Sequence, residues 1–403
     1  MRVKAIVGVI CLFGLVTAGC SSGDDSAFGE NTIVVLDDAG TLTLIESETG
    51  EATEVPVSSG ARSDFPAWAP DASKLAFTAT EGGNFSLGVY DGDEVRTIGT
   101  EFPSFYNYFD PTSQVVGYLG NLRNSVGFGV ADVEGGQAST IDSSQPYFFS
   151  WADDGTRVVS HSDGELSVLD TAGEELLSLS VSPLFQAPIW LPGGDEVVVA
   201  LPAVEGSRLV VVDVSSGDER ELVQADGVLA LVLDPTGQRL AVVRRDRGGD
   251  GAVLQASTRG QASDPVPAGL FTIELDSGAI VAIDDDPFTL APFWSPGGQL
   301  VLSLTVDDDE PGRWARWQVH DVSGELVVES DRMNPSRTVA QLLPFADQYA
   351  QSMTPWSPDG EAFVFAGTVE GGGGADGIHV QRIDESGGAI RLSDGVYAMW
   401  SPR

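Results

Sequence analysis

The three histidines are the first residues to consider for metal or acid–base chemistry. His161, His320 and His379 are far apart in the sequence, whereas zinc and manganese sites recruit several imidazoles or carboxylates at one locus, often at short spacings. His320 and His379 lie in "WQVHD" and "GIHVQ", which are typical of β-strands. We therefore predict no metal site, and we interpret each histidine as a strand residue.

Two acidic runs raise the question of calcium binding. "VDDDEPG" begins at Val306 and "IDDDP" begins at Ile283. Neither has the D-x-D-x-D-G spacing with a distal glutamate that places alternating oxygens around the ion. We predict that both runs are solvated loops. The sequence carries no cofactor signature, so we expect no cofactor.

Nucleophilic catalysis also lacks its usual residues. A serine hydrolase of the α/β type needs G-x-S-x-G on a strand-to-helix turn, and residues 31–403 contain no such string. The two cysteines, Cys11 and Cys20, both lie near the N-terminus, where we expect the first to be removed and the second to be acylated. The sequence therefore predicts no catalytic residue, although an enzyme stays open as the alternative to a binding protein.

The N-terminal segment has the pattern of a secretion signal. Arg2 and Lys4 precede an apolar run of twelve residues, which is too short to span a bilayer but suits the core of a signal peptide. The small residues 17–19 before Cys20 resemble the bacterial lipobox. That resemblance implies that residues 1–19 are removed and that Cys20 carries lipid. The alternative is an ordinary secretory signal with an incidental cysteine.

The remaining sequence divides into a tether and one domain. Residues 20–30 are polar and turn-rich, which predicts a flexible tether, and residues 31–403 form the folded domain. The chain has 60 acidic against 21 basic residues and a net charge of −39. Such a surface repels phosphate backbones, so we exclude nucleic-acid binding. We expect a monomer outside the cytoplasm, attached to a bacterial membrane only through its lipid.

Two turn signals alternate along the domain. The first is an aromatic or apolar residue, then a Pro/Asp/Gly-rich turn, then a β-branched strand. Its copies begin at Trp68, Phe109, Trp151, Trp190, Leu233, Trp294, Trp356 and Trp400. The second is an apolar strand followed by an acidic residue and a glycine turn, as in "LSVLDTAG", and it also occurs eight times. Each unit therefore has four short strands and two hairpins, which is the blade of an all-β propeller.

The phase of the two signals predicts how the domain closes. The first strand–turn copy, ending at Gly50, has no Trp-turn before it, and "YAMWSPR" at residues 397–403 has no strands after it. We predict that the C-terminal strand pairs with the N-terminal strands and completes one blade. Eight copies indicate eight four-stranded blades. Seven blades is the alternative, if the copies at Phe109 or Leu233 are misread.

The best repeat, "WSPDGEAFVFAG" from Trp356, resembles the repeats of TolB-type bacterial propellers. Similar repeats occur in the non-catalytic propeller of prolyl-oligopeptidase-like peptidases. The resemblance covers nearly the whole of residues 31–403 and implies the fold, but it implies no activity. Some lyases with similar repeats use a histidine cluster at the propeller centre, which keeps an envelope glycan- or peptide-acting enzyme as an alternative.

Candidate partner-binding residues come from two inserts, because rim loops on a rigid ring can vary. The first insert begins at Arg244 and concentrates arginines. The second region contains "RWARWQ" and then "LLPFADQYAQS", a predicted short helix, and we assign Trp317 to the core. The candidates are Arg313, Trp314, Arg316, Gln348 and Tyr349. We predict a scaffold for an envelope protein, peptide or wall polymer, with ligand sensing as a further alternative.

Overall fold

The computed structural model describes residues 28–29, 31–179, 181–204, 206–245, 266–307, 314–384 and 388–403. Cys20, Arg313 and most of the first insert lie outside these ranges. Within them, the strands form seven antiparallel sheets, I to VII. Sheet I comprises β1 (Thr32–Leu36), β2 (Leu42–Glu46), β3 (Ala52–Glu54) and β32 (Tyr397–Trp400). Sheet II comprises β4 (Arg62–Trp68), β5 (Leu75–Glu81), β6 (Asn84–Tyr90) and β7 (Val95–Gly99). Sheet III comprises β8 (Ser104–Phe109), β9 (Val115–Leu122), β10 (Ser125–Asp132) and β11 (Gln137–Ser144).

Sheets IV to VI repeat the same four-stranded plan. Sheet IV comprises β12 (Tyr147–Trp151), β13 (Arg157–Ser162), β14 (Glu165–Asp170) and β15 (Glu175–Leu179). Sheet V comprises β16 (Ile189–Trp190), β17 (Glu196–Pro202), β18 (Ser207–Asp213) and β19 (Glu219–Ala225). Sheet VI comprises β20 (Val228–Leu233), β21 (Arg239–Arg245), β22 (Gly269–Glu274) and β23 (Ile280–Asp284). Burial decreases outward: every residue of β12 is buried, while β15 is mostly exposed. The first strands therefore form the core and the fourth strands the rim.

Sheet VII contains two such units. They comprise β24 (Thr289–Trp294), β25 (Leu300–Val306), β26 (Ala315–Asp321) and β27 (Leu326–Glu329), then β28 (Met333–Pro335), β29 (Ala362–Val369), β30 (Gly377–Arg382) and β31 (Ile390–Asp394). A single residue pair, Ala315 with Met333, joins the two units.

The first strand of the last unit is interrupted. β28 pairs with the end of β29, and Trp356 forms a bridge to Phe363 near its start. Residues 336–355 leave the sheet between these two contacts, and we call them the plug. The plug contains α1 (Arg337–Leu342), a 3₁₀ turn (Leu343–Phe345) and α2 (Ala346–Tyr349). The predicted short helix is therefore confirmed, and it lies within a strand that the repeat pattern treats as continuous.

A recurring hydrogen bond holds four of the aromatic–Pro/Asp turns. In these four, the side chain of the residue after the aromatic or apolar position accepts from the backbone N–H five residues later. Asp110 Oδ1 accepts from Val115 N at 2.7 Å, and Ser357 Oγ accepts from Ala362 N at 2.9 Å. Asp, Asn and Ser side chains favour such local turns, because they satisfy backbone donors that the hairpin leaves free.

Three of the six tryptophans in these turns also join neighbouring sheets. The Nε1 of Trp151 donates to Tyr108 O, that of Trp294 to Val232 O and that of Trp356 to Phe293 O, each at 3.1 Å. Each acceptor lies one residue before the equivalent turn position of the preceding unit. The repeat signal thus encodes contacts within a unit and between units.

The two chain ends meet in sheet I. β32 pairs with β1, with Ile33 opposite Trp400 and Leu36 opposite Tyr397. Phe28, just before β1, packs edge-on against Trp68 at 4.9 Å between ring centroids. The helices of the described residues are all too short or too polar to span a bilayer.

Strand direction defines two faces of the molecule. The turn face carries the Trp-turns that join first to second strands, together with Phe28. The opposite face, which we call the cleft face, carries the connections from second to third strands. Residues 246–265 connect β21 to β22 and residues 308–313 connect β25 to β26, so both inserts start and end at the cleft face.

Candidate binding site

The plug is fixed in the centre of the molecule by hydrogen bonds to three units. The Gln348 amide accepts from Phe149 N at 3.0 Å and donates to Phe149 O at 2.9 Å. The Tyr349 hydroxyl donates to Phe105 O at 2.7 Å, and Asp347 Oδ2 accepts from Ala187 N at 2.9 Å. These partners lie at or beside the first strands of three successive units, so α2 joins sheets III and IV and the connection before sheet V.

Aromatic packing supports the same arrangement. Tyr106 donates to Gln348 O at 3.0 Å and meets Tyr349 edge-on at 5.0 Å. Burial raises the pKa of Tyr106 and of Tyr349 above the ordinary phenol value. Both hydroxyls therefore stay neutral at physiological pH, and each donates to a backbone carbonyl.

An aromatic cleft of about 420 Å³ opens at the cleft face, between the plug and sheets II to IV. Eight of its lining residues are phenylalanine or tyrosine: Phe65, Phe105, Tyr106, Tyr147, Phe148, Phe185, Phe345 and Tyr349. None of the described residues that line it is charged, although charged residues make up 20% of the chain. An uncharged aromatic surface in so acidic a protein marks a place where a ligand would displace water.

Two phenylalanines lie open at this cleft. Phe185, in the connection between β15 and β16, is 63% exposed, and Phe345 of the plug is 36% exposed. Phe185 meets Phe148 edge-on at 5.0 Å and lies 6.0 Å from Phe345. The rings therefore contact one another although both residues are exposed.

Three side-chain amides surround the rings. Asn121 at the end of β9, Gln145 before β12 and Gln341 of α1 line the cleft and are exposed. Their amide groups have no hydrogen-bond partner among the described residues. Each offers both a donor and an acceptor.

A second cleft, of about 270 Å³, adjoins the first and shares Phe65 and Tyr106 with it. This one is polar: Arg62 forms a bidentate pair with Asp64, both contacts at 3.1 Å, and donates to Asp38 O at 2.8 Å. The pair is exposed enough that solvent screens it.

Phe65, between the two clefts, has a φ of +51°, which is uncommon for a residue with a side chain. Asn107 Nδ2 holds this backbone by donating to Phe65 O at 2.7 Å. Backbone conformations of this kind gather at functional sites.

The predicted partner-binding residues separate into two groups. Gln348 and Tyr349 line the aromatic cleft, but their polar atoms bind the plug to the ring. Arg316 is remote from the cleft lining and pairs with Glu329 at 2.8 Å and with Asp307 at 3.6 Å. Trp314 is half-buried, Trp317 is buried as expected, and Arg313 lies outside the described residues.

The histidines lie in three different units, on β13, β26 and β30. His161 is buried, where its Nδ1 lies 3.0 Å from Gln186 O, and burial lowers its pKa. His379 stacks on Phe365 at 5.2 Å. Within the described part of the chain, no three His, Cys, Asp or Glu side chains gather as metal ligands do.

Sequence reasoning missed Phe185 and the three amides. Phe185 and Gln145 lie in connections, Asn121 lies near the end of β9 and Gln341 lies in α1, and the repeat pattern assigns none of them a role. The sequence did contain a signal for Phe185. It is an aromatic residue in the connection "SPLFQAP" at residues 182–188, which has no strand pattern that would place its side chain in the core.

The fold is a β-propeller, as the repeats predict. The propeller domain of the Trilobed protease from Pyrococcus furiosus is similar, with 13% identity, a TM-score of 0.51, and coverage of 83% of this chain and 99% of that one. That domain has an open velcro topology, whereas β32 and β1 pair in this chain.

Two further solved structures are similar over most of their length. A eukaryotic initiation factor has 12% identity and a TM-score of 0.59, over 93% of this chain and 99% of that one. An oligogalacturonate lyase from Vibrio parahaemolyticus has 13% identity and a TM-score of 0.53, over 89% and 100%. TolB structures also match, with TM-scores of 0.41. No family model and no curated protein matches the chain. At these identities the similarity defines the fold and not the activity.

Proposed function

We propose that this chain is a lipid-anchored β-propeller outside the cytoplasm, and that it binds an envelope protein, peptide or polymer in the aromatic cleft. The observation that carries the proposal is the cleft itself: exposed rings and unpaired amides with no charged residue among the described lining. Catalysis would call for carboxylates, histidine or arginine converging on the first strands, and the Arg62–Asp64 pair of β4 is such a group in the adjoining polar cleft. We favour binding in the aromatic cleft, because its described lining has no such group and the buried polar groups of the plug are paired with backbone.

The proposed architecture is a closed ring of eight blades. Thirty-two described strands divide into eight groups of four when sheet VII counts as two units and β32 completes sheet I. The two turn signals, eight copies of each, support the same division. A ring closed between its chain ends would give the cleft a rigid frame.

The position of Phe28 supports an orientation on the membrane. Phe28 packs at the turn face, eight residues after the predicted lipidation site Cys20. Eight residues reach at most about 27 Å, so lipid at Cys20 would hold the turn face near the membrane. The cleft face would then point away from it, toward large partners.

Site-specific photo-crosslinking in intact cells tests the proposal. A photoreactive phenylalanine analogue at position 185 should give a reproducible adduct, because that position is in the cleft. The same analogue at Leu176, an exposed apolar residue on the outer strand β15, should give none. Equal labelling from both positions, or no adduct from position 185, would refute binding in the cleft.

A further inference from the structure

We infer that the aromatic cleft takes a segment of neutral oligosaccharide, meaning hexose or N-acetylhexosamine units without carboxylate, sulfate or phosphate groups. The inference rests on the proposed binding function and names its ligand class. Two features carry it: the ring faces offered by Phe185 and Phe345, and the free amides of Asn121, Gln145 and Gln341.

The two features match the two surfaces of a sugar ring. A pyranose has a C–H face, which is apolar, and a rim of hydroxyl groups. Phe185 and Phe345 are exposed rings inclined at 54° to each other, and the C–H face of a sugar unit can pack against such a ring. Each side-chain amide can both donate and accept a hydrogen bond, as each sugar hydroxyl can. A hydrogen bond between an amide and a hydroxyl can therefore form with either group as the donor.

Charge disfavours the anionic alternatives in the aromatic cleft, although Arg62 and Arg337 line the adjoining polar cleft. No described lining residue is cationic, and the chain as a whole carries −39. A polyuronate, a sulfated glycan or a nucleic acid would therefore enter without counter-charge and against the field of the protein.

Position and amide chemistry argue against a peptide strand and a lipid chain. An extended peptide gains its main-chain bonds at a free sheet edge. The edge strands beside this cleft are β8 and β12, and the plug already bonds Phe105 O on β8 and Phe149 N and O on β12. An acyl chain would cover the three amides without offering partners, and each uncompensated polar group opposes binding. A short glycan segment needs no sheet edge and offers hydroxyl partners to the three amides. The cleft volume of about 420 Å³ is in the usual range for small-ligand sites.

Calorimetric titration of the purified domain tests the ligand class. The probes are four- to six-unit oligomers of glucose, mannose and N-acetylglucosamine, the neutral polysaccharide fraction of the native envelope, and tetragalacturonate as the anionic counterpart. We expect saturable binding of at least one neutral probe and none of tetragalacturonate. Phe185→Ala should weaken binding roughly three- to tenfold, the scale of one aromatic contact. Gln145→Ala should weaken it too.

Leu176→Ala is the matched control and should leave both affinity and melting temperature unchanged. The inference is overturned if no neutral probe binds saturably, or if Phe185→Ala and Gln145→Ala both bind as wild type does. A crosslinked adduct at position 185 without glycan binding would overturn the glycan inference and leave the proposed function standing. If neither the crosslinked adduct at position 185 nor glycan binding is found, both the proposed function and the glycan inference are rejected.

Discussion

The central plug makes a strong prediction about Gln348. Its amide forms two hydrogen bonds with the backbone of Phe149, at 3.0 and 2.9 Å, and the residue is only 2% exposed. Gln348→Ala removes both partners and leaves a buried N–H and a buried C=O unsatisfied. At roughly 1–3 kcal/mol for each such group, the free energy of unfolding should fall by about 2–6 kcal/mol.

Urea denaturation followed by tryptophan fluorescence measures this loss, and hydrogen exchange at the Phe149 amide locates it. Gln348→Glu separates the two bonds: at neutral pH the carboxylate still accepts from Phe149 N but faces Phe149 O without a donor. Gln341→Ala, an exposed amide on the same plug, should change stability by less than about 0.5 kcal/mol. If Gln348→Ala is as stable as the Gln341 variant and keeps the Phe149 amide protected, the plug is not held as described.

Two further predictions concern the hydrogen bonds of the Trp-turns and the proposed lipid attachment at Cys20. Trp151→Phe removes the donor to Tyr108 O, whereas the Nε1 of Trp190 has no hydrogen-bond partner among the described residues. In urea titrations, Trp151→Phe should therefore lower the free energy of unfolding by about 1–2 kcal/mol more than Trp190→Phe does. Equal losses would mean that the bond between sheets adds no stability. Cys20→Ser should move the protein from the membrane fraction to the soluble fraction, because a single acylated residue is the proposed anchor. Unchanged partitioning on cell fractionation would reject lipid attachment.

Much of the fold could be predicted because its determinants are local. The aromatic residue, the Asp or Ser after it and the glycine turn act within about six residues, as the bond from Val115 N to Asp110 shows. The pairing of β32 with β1 was predicted from the phase of the repeats, since a lone first strand at one end and three strands at the other complement each other.

The cleft could not be predicted, because it depends on contacts between distant parts of the chain. Gln348 binds a backbone 199 residues earlier, and no local pattern indicates that a helix inserted in the last unit enters the centre. Glutamine and tyrosine in "FADQY" suggested a surface for partners, but burial has given their polar atoms a structural role. Phe185 and Phe345 meet only because the plug brings residue 345 to the connection before β16.

Crosslinking from within the cleft tests the account most directly. Cells carry the photoreactive analogue at position 185 or 345, with positions 176 and 326, both exposed and apolar on outer strands, as controls. Binding in the cleft predicts one adduct shared by positions 185 and 345 and absent from both controls. Adducts that are the same at all four positions, or absent at 185 and 345, would contradict it.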